Sequence, residues 1–185
     1  SEKMTPQELV DFLNDFFKRM TEPISNNKGF VDKFIGDGVM ALFSIPEEPN
    51  AADALNSVMA AISMQQQIDS FNKDNKIAEE KRLRIGIGIH SGPVIIGTVG
   101  SEERMESTVT GDTVNLASRL EGLTKFYRSK ILISQSTYEF FDPESNIEFR
   151  ELDLVQVKGK DEPVTIFEVC NSDLEPIREQ KLGSR

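Results

Sequence analysis

The sequence predicts an α/β (α+β) domain, and three stretches carry that reading. Leu9, Phe12, Leu13, Phe16, Phe17 and Met20 recur at three- and four-residue steps, which draws one apolar stripe along a helix. In FVDKFIGDGVMALF, residues 30–43, two β-prone runs flank GDG and read as strands joined by a tight turn with Asp37 at its tip. In LRIGIGIH, residues 83–90, Leu83, Ile85, Ile87 and Ile89 alternate with small or polar residues, the period-two signature of a strand with one buried face.

The remaining elements follow in order. Thr5, Pro6 and Glu8 form a helix start: an N-cap hydroxyl, a proline in the first turn and the acid of a capping box. That helix ends before Gly29, and its stripe is expected to be core. Pro46 and Pro49 close the hairpin, and a second helix runs from Ala51 to about Asn75 on Ala54, Val58, Ala61, Ile62, Met64 and Ile68. Gly86 and Gly88 sit on the second face of the 83–90 strand, where another backbone is expected to pack closely. Residues 92–100 read as a neighbouring strand and 101–107 as a charged loop. A third helix spans about Asp112 to Lys125, with Asp112 as its cap; Val114, Leu116, Ala117, Leu120 and Leu123 give it an apolar side, while Asn115 and Arg119, four apart, project from another face. A strand at 130–134, a short helix near Tyr138 and strands at 152–157 and 164–169 complete the domain, taken as residues 1–170. Residues 171–185 read as a polar tail.

Composition narrows the function. The chain has 185 residues, 38% hydrophobic and 28% charged, as a soluble globular domain with one core does. Its net charge of −10 argues against a general nucleic-acid or anionic-membrane binder, since phosphate binding needs a cationic footprint. Cys170 has no partner for an internal disulfide, and no apolar run approaches the roughly 18 residues of a spanning helix. A cytoplasmic setting is expected, including that of a cytoplasmic domain on a membrane-anchored protein. His90, the single histidine, ends a strand and is expected to pack or hydrogen-bond rather than shuttle protons.

Four segments then stand together: DKFIGD (32–37), GIHSGPVIIGTVG (88–100), TVTGDTVNLASRLE (108–121) and VKGK (157–160). In this order and spacing the chain resembles the catalytic domain of class III nucleotidyl cyclases, the adenylate and guanylate cyclase family. The resemblance implies a ferredoxin-like fold, a central, mostly antiparallel sheet flanked by helices, working as a head-to-tail homodimer with two shared active sites. It implies attack of the ribose 3′-hydroxyl of ATP on the α-phosphate, giving 3′,5′-cyclic AMP and pyrophosphate, with two divalent cations, Mg²⁺ or Mn²⁺, as cofactors.

Residue by residue, the resemblance makes Asp37 a metal-holding aspartate, where the turn alone would explain it as a residue tolerant of unusual backbone angles. Lys33 takes the place of the lysine that recognises adenine; it offers donors only, which suits the ring nitrogens. Thr108 takes the place of the second base contact, commonly an aspartate, and so resembles the Lys/Thr subgroup found among bacterial-type adenylate cyclases. Asn115 and Arg119 match the pair that orients the ribose and stabilises charge on the phosphates. Lys158 matches the triphosphate-gripping lysine, and Arg104 is a weaker phosphate candidate. The family's first metal aspartate lies on a strand ahead of the first helix in a segment like LFADIRGFT, which these residues do not contain, so the fold is expected with its first strand missing. An upstream sensor, and no nucleic-acid or direct membrane contact, complete the expectation. A guanylate cyclase and a non-catalytic nucleotide-binding regulatory dimer are the rivals.

Overall fold

Thr5 and Glu8 open the first helix by exchanging hydrogen bonds. In a computed structural model of the chain, the Thr5 amide donates to Glu8 Oε2 at 2.7 Å and the Glu8 amide donates to Thr5 Oγ1 at 3.3 Å, a reciprocal capping box. The structure describes residues 5–43, 50–101, 104–156, 163–173 and 175–183; Pro46, Pro49 and Lys158 lie outside them.

The elements run α1 (Pro6–Asn26), β1 (Phe30–Ile35), β2 (Gly38–Leu42), α2 (Ala51–Asp74), β3 (Ile87–Ile89), β4 (Ile95–Ser101), β5 (Arg104–Thr110), α3 (Asp112–Tyr127), β6 (Ile131–Ser134), the single turn α4 (Gln135–Tyr138), β7 (Phe149–Val155), β8 (Val164–Val169) and α5 (Glu175–Gly183). The central sheet has the order β3-β6-β8-β7; β3 and β6 are parallel, and the β6–β8 and β7–β8 ladders are antiparallel. The β1–β2 and β4–β5 pairs form separate antiparallel hairpins. This is the α+β, helix-flanked arrangement the sequence predicts.

All four residues of β6 are buried, because the sheet is covered on both faces. Ile131 and Ile133 pack with Val58, Ala61 and Ile62 of α2 and with Phe167 and Val169 of β8. Leu132, one residue out of phase, joins Ile166 under Leu116 and Leu120 of α3. A third cluster binds α1 to α2 through Met20, Ile68 and Phe71. Arg19 bridges the same two helices, with ion pairs to Asp15 at 3.1 Å and Asp74 at 2.7 Å.

Gly86 and Gly88 do allow a close approach. A Cβ on Gly88 would lie 2.3 Å from Ala117 O and Glu121 N, so β3 and the backbone of α3 are nearly in contact; one on Gly86 would lie 2.0 Å from Thr124 Oγ1. Four expectations are corrected. The 83–90 strand contracts to three residues because Leu83 exchanges both backbone bonds with the Asn72 side chain, and Ile85 O accepts from Gln65 Nε2. Residues 104–107, expected in a loop, are strand: they pair with β4, which among the described residues lies against β5 and not against β3. The first turns of the α1 stripe overhang the core, leaving Leu9, Val10 and Leu13 exposed, and burial begins near Phe12. Gly111, not Asp112, occupies the N-cap of α3.

The expected polar tail also contains structure. In α5, Lys181 donates to Glu168 Oε1 at 2.5 Å and to Asp173 Oδ2 at 2.7 Å. Glu168, on β8, is fully buried, and its other oxygen accepts from Arg150 Nη2 at 2.7 Å. A carboxylate in that position needs compensating donors, and α5 supplies one of them.

Candidate active site

The β1–β2 hairpin presents Asp37. Ile35 pairs with Gly38, leaving Gly36 and Asp37 as a two-residue turn. Gly36 has φ +61°, the left-handed value that favours glycine at the first central position. Asp37 is exposed, and its side chain forms no hydrogen bond or ion pair among the described residues. A hard oxygen donor on a short turn suits Mg²⁺, which takes one or two carboxylates together with substrate phosphates. Among the described residues, no group of three His, Cys, Asp or Glu side chains gathers around a metal position. Asp37 supplies one hard oxygen donor of the kind such an ion takes.

Lys33 stands on β1, half-buried, opposite Met40. Its ammonium lies 3.3 Å from Asp32 Oδ2. Sequence alternation hides this neighbour, because consecutive strand residues are expected on opposite faces. Thr108 lies on β5 opposite Gly97, and Arg104 begins the same strand.

On α3 the buried face is Thr113, Leu116, Leu120 and Thr124. Asn115 and Arg119 occupy the opposite, exposed face, with Asp112 and Gly122 in line. Neither Asn115 nor Arg119 has a side-chain hydrogen bond or ion pair among the described residues. The structure thus puts this pair on one helix face as expected, and shows no direct contact between it and Asp37.

His90 behaves as a structural residue. Its Nδ1 lies 2.7 Å from Ser134 Oγ and 3.1 Å from Ser136 Oγ, and Ser136 also donates to Ser91 O. Beside it, a cleft of about 400 Å³ opens between the hairpin and the central sheet, lined by Val39 and Ala41 of β2, Ile87 and Ile89 of β3, and Thr113 and Ala117 of α3. Among the described residues, β2 pairs only with β1 and β3 only with β6, so the two strands bordering this cleft each have an open edge. No helix among the described residues is long and apolar enough to cross a membrane.

Solved nucleotide cyclase structures superpose on this fold. The structure of the adenylyl cyclase CyaB from P. aeruginosa superposes with a TM-score of 0.77 at 33% identity, covering 91% of this chain and 85% of that one. The guanylyl cyclase Cya2 gives 0.73 at 34% identity, covering 91% and 83%. An adenylate cyclase of Anabaena cylindrica is 46% identical over 174 residues, 91% of this chain. The chain belongs to the adenylate and guanylate cyclase catalytic domain family, whose profile matches residues 1–169. It spans 34% of the length of the Anabaena relative.

Proposed function

We propose that this domain is an adenylate cyclase that converts ATP to 3′,5′-cyclic AMP and pyrophosphate at sites shared by two copies of the chain. The observation that carries the choice of ATP is Lys33, a cationic donor on β1 where a base that offers acceptors would be recognised. Thr108 adds a hydroxyl to that contact. Asn115 orients the ribose, Arg119 meets charge developing on the phosphates, and Lys158 grips the triphosphate. Asp37 holds the divalent ions, which when bound lower the pKa of the 3′-hydroxyl and spread phosphate charge.

Asp37, Asn115 and Arg119 are exposed and their side chains have no hydrogen-bond or ion-pair partner among the described residues, which supports a site completed by a second subunit. So do Leu9, Val10, Leu13, Phe34 and Ile35, large apolar side chains left exposed on α1 and β1. The open cleft fits a strand supplied from outside residues 5–183, and such a strand would bring the second metal aspartate. Similarity to a guanylyl cyclase of comparable identity favours GTP as the second reading.

The test is cyclic nucleotide formation by the full-length protein with ATP or GTP, in Mn²⁺ and then Mg²⁺. Cyclic AMP in clear excess is expected. Mixing Asp37→Ala with Arg119→Ala subunits, each inactive alone, should restore up to about a quarter of wild-type turnover, because about half the dimers are mixed and each holds one intact site of two. Cyclic GMP as the sole product, or no recovery on mixing, would refute the adenylate or the shared-site reading respectively. Nucleotide binding without turnover would point to a regulatory dimer.

A further inference from the structure

Helix α3 begins without the device that fixes many helix starts. Gly111, at its N-cap, has no side chain to bond the first-turn amides, and its φ of +136° is a conformation that favours glycine. The first helical backbone bond, Asn115 N to Gly111 O, is longer than usual at 3.3 Å. Thr113 holds the turn by another route: its buried hydroxyl donates to Pro93 O at 2.5 Å, twenty residues earlier in the chain. Gly92 leaves room for this contact, since a Cβ there would lie 2.8 Å from Thr113 Oγ1. The segment that carries Pro93 is itself anchored. Ser136 donates to Ser91 O at 3.0 Å, and Ser91 Oγ lies 3.1 Å from Thr137 Oγ1. His90 Nδ1, one residue earlier, lies 2.7 Å from Ser134 Oγ. These partners stand at the end of β6 and in α4, so the Thr113 hydroxyl ties the start of α3 to the end of the central sheet.

We infer that Thr113 is a positioning residue whose hydroxyl fixes the first turn of α3 and, through it, the place from which Asn115 meets the substrate. This role rests on reading Asn115 as the residue that orients the ribose. Asn115 is exposed two residues further on, and its side chain has no partner among the described residues, so its placement follows the backbone beneath it. Arg119 stands one turn later, flanked by the close approach of Gly88 to Ala117 O and Glu121 N, and has that second restraint. Loss of the Thr113 bond therefore acts on Asn115 first. An orienting group works only when held in place, and a displacement of about 1 Å can cost about a hundredfold in rate.

The experiment separates the hydroxyl of Thr113 from its methyl. Thr113→Val keeps the shape and removes the donor, whereas Thr113→Ser keeps the donor and removes the methyl. Both are made in the full-length protein, with and without Asn115→Ala, and compared by kcat and KM for cyclisation of ATP and by thermal midpoint. Thr113→Val should lower kcat about 10- to 100-fold with KM changed by less than about threefold, while Thr113→Ser stays within about threefold of wild type in both. In the Asn115→Ala background Thr113→Val should lower kcat no further, because the group it positions is already gone. If Thr113→Val does not fold, Thr113→Ala is judged by the same criteria. A kcat untouched by loss of the hydroxyl, an equal loss in Thr113→Ser, or a loss carried by KM would overturn the inference. So would the same fold-loss with and without Asn115, which would mean a purely structural role. A kcat untouched by Asn115→Ala would instead overturn the reading of Asn115, and the role of Thr113 with it.

Discussion

Replacing Lys181 by Met should destabilise the domain by about 2–3 kcal/mol, far more than an ordinary helix-surface substitution. Glu168 is fully buried on β8. Its Oε2 accepts from Arg150 Nη2 at 2.7 Å and Nε at 3.2 Å, and its Oε1 accepts from Lys181 Nζ at 2.5 Å. Methionine keeps most of the apolar stem and removes the donor, so Oε1 becomes a buried acceptor without that partner. Breaking a buried pair completely costs about 3–5 kcal/mol, and losing one hydrogen bond to a buried group about 1–3. Arg150 still neutralises Glu168, which places the expected loss in the upper part of the second range, about 2–3 kcal/mol. Each kcal/mol moves the midpoint of a domain this size by about 2–4 °C, so calorimetry should show a fall of about 4–12 °C, matched by urea unfolding followed by circular dichroism. Adding Glu168→Gln to Lys181→Met should recover part of the loss. A change below about 0.5 kcal/mol, the scale of a neutral surface substitution, would refute the idea that α5 is energetically part of the domain.

Further outcomes follow from other contacts. Gly88→Ala should cost about 3 kcal/mol or more, because its Cβ would meet α3 backbone atoms at 2.3 Å, whereas Gly122→Ala, with nothing within 4 Å, should stabilise by up to about 1 kcal/mol through helix propensity; thermal melts of the pair check both. Tyr127 donates to Asp153 Oδ2 at 2.5 Å, and that bond, with burial and the carboxylate charge, pushes the phenol up to about 12. Because this raises the folded value above the unfolded one near 10, the contribution is present below pH about 10 and lost as pH rises towards 12. Absorbance titration should show a late-ionising tyrosine that Tyr127→Phe removes. Lys181 has its pKa lowered by burial but raised more by its bonds to Asp173 and Glu168, for a net rise, so its contribution is likewise lost only on the alkaline side of the ordinary lysine range.

What could be read in advance was what is written locally. The capping box of Thr5 and Glu8, the Gly36–Asp37 turn and the glycine faces of the 83–90 strand each need only a few neighbouring residues to declare themselves. The β4–β5 hairpin could not declare itself this way. Its second strand, RMESTVT, is polar and charged over most of its length, so no run of alternating apolar residues marks it as a strand. The docking of α5 depends on Lys181 reaching a glutamate thirteen residues earlier, a pairing invisible to periodicity. At the site, spacing placed Asn115 and Arg119 on one helix face. It could not separate Asp37 from an ordinary turn residue, and the proposed metal role of Asp37 rests on the motif resemblance. Asp32 escaped notice because only a bulge brings it to Lys33.

The near contact of β3 with α3 bears on how such a domain can be switched. With Gly88 pressed to the backbone of α3, that helix cannot slide or roll on the sheet without separating two main chains, so Asn115 and Arg119 move only with the slab that carries them. The hairpins are not locked in that way. β1–β2 and β4–β5 each pair only with themselves among the described residues, and β1–β2 is held to the helices by side chains, Phe34 against Phe17 and Val39 against the α1–α2 cluster. Any change in hairpin pose relative to the sheet would therefore shift Asp37 against Asn115 and Arg119, the separation on which the proposed shared site depends.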